Sequence, residues 1–131
     1  MLPPSLLGTA FVSTSQEYAW RKAELPRAVR ELADASLLIL GGEAWIAEDG
    51  HFLGLLPTLD GQSCVIHWET EVPPALPWRE QVAQAAEQTL RIIPGLDAEE
   101  EVVPEYRDLI WYNVTFCNEE EYGALQLRDK P

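Results

Sequence analysis

The chain has 131 residues, 47% of them apolar, which fits one domain (1–131) able to bury its own core and argues against overall disorder. Nine basic residues stand against 22 acidic ones, a net charge of −13. That field opposes nucleic acid and anionic membrane as partners and suits a basic protein.

The charge is unevenly placed. Residues 1–35 are balanced, with Glu17, Glu24, Glu31 and Asp34 against Arg21, Lys22, Arg27 and Arg30; residues 36–131 carry the whole excess. The opening Met1–Leu7 lacks a positive region and is broken by Pro3 and Pro4, unlike a secretory signal. No apolar run is long enough to span a bilayer. The expected location is the cytoplasm. Cys64 and Cys117 are too few for a disulfide framework and lack zinc-site spacing, so both read as buried thiols.

In chain order, residues 1–15 read as an irregular lead-in with a short strand near Ala10–Val12. Tyr18-Ala19-Trp20 is expected to anchor the start of a helix over 25–35. Pro26 suits its first turn, and Leu25, Ala28, Val29 and Leu32 make one apolar stripe. A buried strand, Leu37–Leu40, then meets Gly41-Gly42, read as a bulge or a close strand approach.

Asp49-Gly50 and Asp60-Gly61 are hairpin signals, predicting a meander of strands at 43–48, 51–57 and 63–69. Tight turns would pair 48 with 51, 46 with 53 and 44 with 55, then 55 with 66 and 53 with 68. One face would carry Ala44, Ile46, Leu53, Leu55, Ile66 and Trp68; the other Glu43, Trp45, Phe52, Gly54, His67 and Glu69. Trp45, Gly54 and His67 would form a row, the glycine making room for the indole. Pro57 is the residue that would open the second loop and slip its register.

A proline-rich connector over 72–77 leads into a helix over 77–93, striped by Trp78, Val82, Ala85, Ala86, Thr89 and Ile93 and stopped by Pro94-Gly95. Residues 97–101 read as an acidic loop. A strand over 109–117 puts Ile110, Tyr112, Val114 and Phe116 on one face and Leu109, Trp111, Asn113 and Thr115 on the other. The tail from Tyr122 would add an edge strand. The expected fold is α+β: a single antiparallel sheet of four or five strands, two helices on one face, and the other face partly open.

Catalytic patterns are sparse. Gly41-Gly42 opens no helix and precedes no lysine, so it is no phosphate cradle. His51 and His67 are the only histidines. No cofactor and no metal are expected, and no enzyme; the enzymatic alternative uses His67 with Glu43 or Glu69. Trp45 and Trp111, on the less committed faces, read as interface anchors, because tryptophan is over-represented at hot spots. A Trp45→Ala variant is then expected to fold but bind weakly.

The run Leu40-Gly41-Gly42-Glu43-Ala44-Trp45 resembles the strand motif of a family of bacterial polymorphic-toxin immunity proteins. Tyr18-Ala19-Trp20 before it, Trp68 after it and the Trp-led helix from Trp78 extend the likeness over residues 18–93. The family usually places aspartate where Glu43 stands, and an Asp-Asn-Trp element where this chain has Asp60-Gly61. The resemblance implies a protein that binds and neutralises a cognate toxin, usually encoded next door and here expected to be basic. The expected partner-binding residues are Glu43, Trp45, Glu48, Asp49, His67, Glu69 and Trp111. A structural subunit, monomer or homodimer, is the further alternative.

Overall fold

The computed structural model describes residues 2–128. In chain order it runs α1 (Pro4–Leu7), β1 (Phe11–Val12), β2 (Tyr18–Trp20), a 3-10 turn, α2 (Leu25–Asp34), β3 (Leu38–Glu48), β4 (His51–Leu53), β5 (Leu56–Pro57), β6 (Ser63–Cys64), β7 (His67–Glu69), α3 (Trp78–Ile92), a 3-10 turn, α4 (Ala98–Glu101), a 3-10 helix (Pro104–Leu109), β8 (Ile110–Cys117) and α5 (Glu119–Arg128).

The expected single sheet under two helices is corrected. Six strands form one antiparallel sheet, ordered β1-β2-β8-β3-β4, with β7 also on β3; β5 and β6 form a second, two-stranded sheet; and there are five α-helices among the described residues. Tyr18–Trp20 is not a helix lead-in but a strand wedged between β1 and β8. The acidic stretch at 98–101 is α4. The tail is α5 rather than an edge strand. Asn118 and Glu121 cap that helix reciprocally: the Glu121 N–H donates to Asn118 Oδ1 at 2.8 Å and the Asn118 N–H to Glu121 Oε1 at 2.9 Å.

β3 is the spine. It runs unbroken through the two glycines and pairs with β8 from Leu38 to Ile46, with Leu40 bulged out of the ladder between Ile39 and Gly41. The glycines allow three strands to close up. A Cβ on Gly41 would lie 2.3 Å from the Trp68 carbonyl oxygen. On Gly42 it would lie 2.0 Å from the Asn113 carbonyl oxygen and 2.3 Å from the Trp68 indole. The expected bulge and close approach are both present.

The other edge of β3 is shared end to end. β4 pairs 48 with 51 and 46 with 53, as the tight Asp49-Gly50 turn dictates; both turn residues have positive φ, +52° and +81°. β7 then pairs directly with β3, Glu43 with His67 and Gly41 with Glu69. The predicted pairings 44–55, 55–66 and 53–68 are therefore corrected. The cause is the segment between them. Leu56 is fully buried, and the β5–β6 hairpin docks on the end of α4 through Leu59 N–H to Glu101 O (3.0 Å) and Val103 N–H to Pro57 O (3.1 Å). Leaving that dock, the chain meets the unoccupied stretch of β3, and the Ala44 N–H donates to the Ile66 carbonyl at 2.8 Å.

α2 and α3 pack on β3, and Ala44, Ile46, Ile110, Tyr112 and Val114 join them in one buried cluster. The stripe Leu25, Ala28, Val29 and Leu32 is fully buried, and its larger members contribute about 1.5–3 kcal/mol each. α2 ends in a Schellman turn: Ser36 takes φ +63° and the Leu37 N–H reaches back to Leu32 O at 3.0 Å. The Ser36 carbonyl accepts the Trp78 indole N–H at 3.0 Å, locking α3 to α2.

On β8, the buried Tyr112 hydroxyl donates to the Glu99 carboxylate and accepts the Ala98 N–H at 3.1 Å, tying the sheet to α4. Burial, then the Glu99 carboxylate, hold this phenol far above the ordinary tyrosine range. Burial likewise pushes the Cys117 thiol up to about 11. Both groups keep their protons in the folded chain and lose them sooner when it unfolds. Their stability is complete below the unfolded pKa values, about 8.5 and 10, and is lost as pH rises past them. Stability is expected to fall steeply above about pH 10. Above about pH 10, Tyr112→Phe should remove up to about 1.4 kcal/mol per pH unit from that slope. Urea titrations at pH 8 to 11 check it; an unchanged slope would disprove the assignment.

Candidate functional site

The sheet face opposite α2 and α3 divides into an aromatic half and an acidic half. In the aromatic half, Trp45 stacks on Phe52 with ring centroids 3.7 Å apart and planes 13° apart. Phe11, brought across by β1, meets Trp45 edge-on at 6.3 Å and leans on Trp111 at 5.8 Å. The Arg21 guanidinium lies 4.2 Å over Trp111 and donates to Ile110 O at 2.8 Å.

Trp45 is consequently 0% exposed. The exposed, partner-facing position expected of it is corrected: the chain's own Phe11 and Phe52 occupy the space a partner would need. Trp111 is half-buried beneath Arg21.

The acidic half is a groove of about 440 Å³ where β7, β3 and β8 lie side by side. Glu17, Glu43 and Glu69 line it with His67, Asn113 and Thr115, and among the described residues no lysine or arginine does. Glu43 and His67 are direct cross-strand partners, and Glu69 pairs one step along at Gly41. The predicted sharing of one face by these three holds even though the strand pairing was different. The shift of β7 from β4 to β3 moved it by an even step, which leaves side chains on their own side.

Glu43 is held from below. Trp45 Nε1–H donates to its Oε1 at 2.7 Å. Gly54 leaves space for that carboxylate rather than for the indole: a Cβ there would sit 3.3 Å from Glu43 Oε1. The indole fixes the acid, and the acid's other oxygen remains for the groove. Asn113, buried behind it, donates to Tyr18 O at 2.8 Å and accepts from the Thr115 hydroxyl at 3.2 Å.

Glu48 and Asp49 lie apart from the groove, exposed at the β3–β4 turn. Sequence reasoning missed Glu17, although Asn113 and Thr115 carried a signal, since the alternation of β8 placed them with Trp111. Glu17 arrives through β2, whose pairing with β8 has no local signature.

Chemically, the groove can accept hydrogen bonds and pair with cations. A general base needs its imidazole oriented by a partner and shielded from water; His67 is exposed, and Glu43 commits an oxygen to Trp45. A second hollow, about 490 Å³, sits at the β5–β6 tip between Asp60, Cys64 and Glu100. Asp60 closes its own loop there: the Thr58 hydroxyl first, then the Gln62 N–H, hold its carboxyl below the usual range. Burial raises the Cys64 thiol, away from the reactive thiolate. Among the described residues no group of three or more His, Cys, Asp or Glu side chains is placed to hold a metal ion, and no helix is long and apolar enough to cross a membrane. Compared with known proteins, the chain matches no family model, no curated protein and no solved structure.

Proposed function

We propose that this is an immunity-type protein of the cytoplasm that neutralises a basic toxin domain, with Glu43, His67 and Glu69 of the sheet groove, joined by Glu17, as the recognition surface. The observation that carries the reading is the convergence of three carboxylates on one open groove that, among the described residues, no lysine or arginine lines. Uncompensated charge of this kind stabilises an arriving guanidinium or ammonium and steers its approach. The glycine–acid–aromatic run gains a physical sense in this reading: the glycines let the strands close, the aromatic holds the acid, and the acid faces the partner.

The test is co-expression with the product of the adjacent reading frame. Cells are expected to survive that product only when this chain is present. Glu69→Lys, at an exposed position, should weaken the complex about tenfold or more, about 1.4 kcal/mol, without lowering thermal stability. A harmless neighbour, or full protection by Glu69→Lys, would refute the proposal.

A further inference from the structure

The outer edge of β4 is a different surface from the acidic groove, and the hollow beside it shares no lining residue with that groove. β4 closes the large sheet on its side. The pair 48–51 flanks a two-residue turn and so exchanges both ladder hydrogen bonds, as does 46–53 two residues on. Phe52, between them, therefore turns its N–H and C=O away from β3. Its ring is clamped on Trp45, so this donor–acceptor pair is held in place. Sheet edges are commonly blunted by lysine, proline or a covering segment; His51-Phe52-Leu53 has neither lysine nor proline.

Two further features lie beside that edge. Leu53 and the following Leu55 are 64% and 58% exposed. Leu53 also borders a mostly apolar hollow of about 280 Å³, walled by Ile46, Tyr106 and Leu109 with Glu48 and His51 at its lip. Strand addition uses this combination, in which backbone groups supply the register and a hollow takes alternate side chains. The surrounding charge selects the occupant. Glu48, Asp49, Glu105 and Asp108 are exposed around the hairpin end and the Pro104–Leu109 helix, against Arg107. A second copy, itself at −13, would be repelled.

We propose that the β4 edge accepts an extended segment of the partner that alternates apolar with basic residues, one apolar side chain entering the hollow beside Leu53. This rests on the reading that the partner is basic, but it uses a surface distinct from the groove.

The test uses the whole, isotope-labelled chain and a heptapeptide alternating lysine with valine. Saturable binding should slow exchange of the Phe52 amide at least tenfold and shift resonances of Leu53, Tyr106 and Leu109. Leu53→Lys should weaken binding about tenfold, and a peptide with glutamate in place of lysine should not bind, a control that stands even if Leu53→Lys folds poorly. Unchanged Phe52 exchange would overturn the inference, and so would shifts confined to Glu43, His67 and Glu69, a result that leaves the groove proposal standing. A Phe52 amide already protected in the free protein, together with sedimentation as a dimer, would overturn it in favour of a second copy.

Discussion

Gly42→Ala is expected to destabilise the protein by about 3 kcal/mol or more, the upper range for overpacking. The added methyl would start 2.0 Å from the Asn113 carbonyl oxygen and 2.3 Å from Cη2 of Trp68. Neither can retreat cheaply. Asn113 belongs to the β8 ladder, in continuous register with β3 from Gly41 to Ile46, and Trp68 is packed in the core. Shrinking Trp68 at the same time should not rescue the variant, because the contact with backbone oxygen remains. Gly54→Ala is the matched control. Its methyl would meet only the end of the Glu43 side chain, at 3.3 Å, and should cost far less. Urea unfolding of the two variants measures the difference; a Gly42→Ala cost under about 1 kcal/mol would mean that the three strands do not approach as described.

Trp45→Ala is expected to cost about 3–5 kcal/mol, the range for emptying a buried aromatic site. It removes the stack on Phe52 and the edge contact with Phe11, and it leaves Glu43 without its indole donor. The variant should melt at much lower temperature and lose near-ultraviolet circular dichroism. This reverses the behaviour anticipated from the sequence, in which the indole was an anchor for a partner. A Trp45→Ala protein as stable as the parent but deficient only in binding would restore that earlier role.

The parts legible in the sequence were those specified by local periodicity. α2 and α3 stand within about two residues of their expected bounds, because each has an apolar stripe and a proline start. The faces of β3 and β8 were legible for the same reason, and with them the company of Glu43, His67 and Glu69. What the sequence hid was non-local. β2 is three residues long, and only its pairing with β1 and β8 makes it a strand, whereas the short strand expected near Ala10–Val12 is present as β1. β7 reaches β3 because the β5–β6 hairpin is held by α4, some forty residues later in the chain. Trp45 read as exposed because one of its covers, Phe11, comes from a remote strand, although the hairpin register already set Phe52 beside it. α5 does have a local signal, the capping-box spacing of Asn118 and Glu121, which the run of glutamates masks.

The carboxylates of the groove, and not the tryptophans beside it, are the proposed recognition surface for a cationic partner. The most direct measurement is the dissociation constant of the complex with the neighbouring gene's product at a series of salt concentrations, for the parent chain and for Glu69→Lys. Affinity is expected to fall as salt screens the groove, and Glu69→Lys to bind more weakly at low salt with a shallower dependence. Affinity indifferent to salt and to the charge at residue 69 would contradict that proposal.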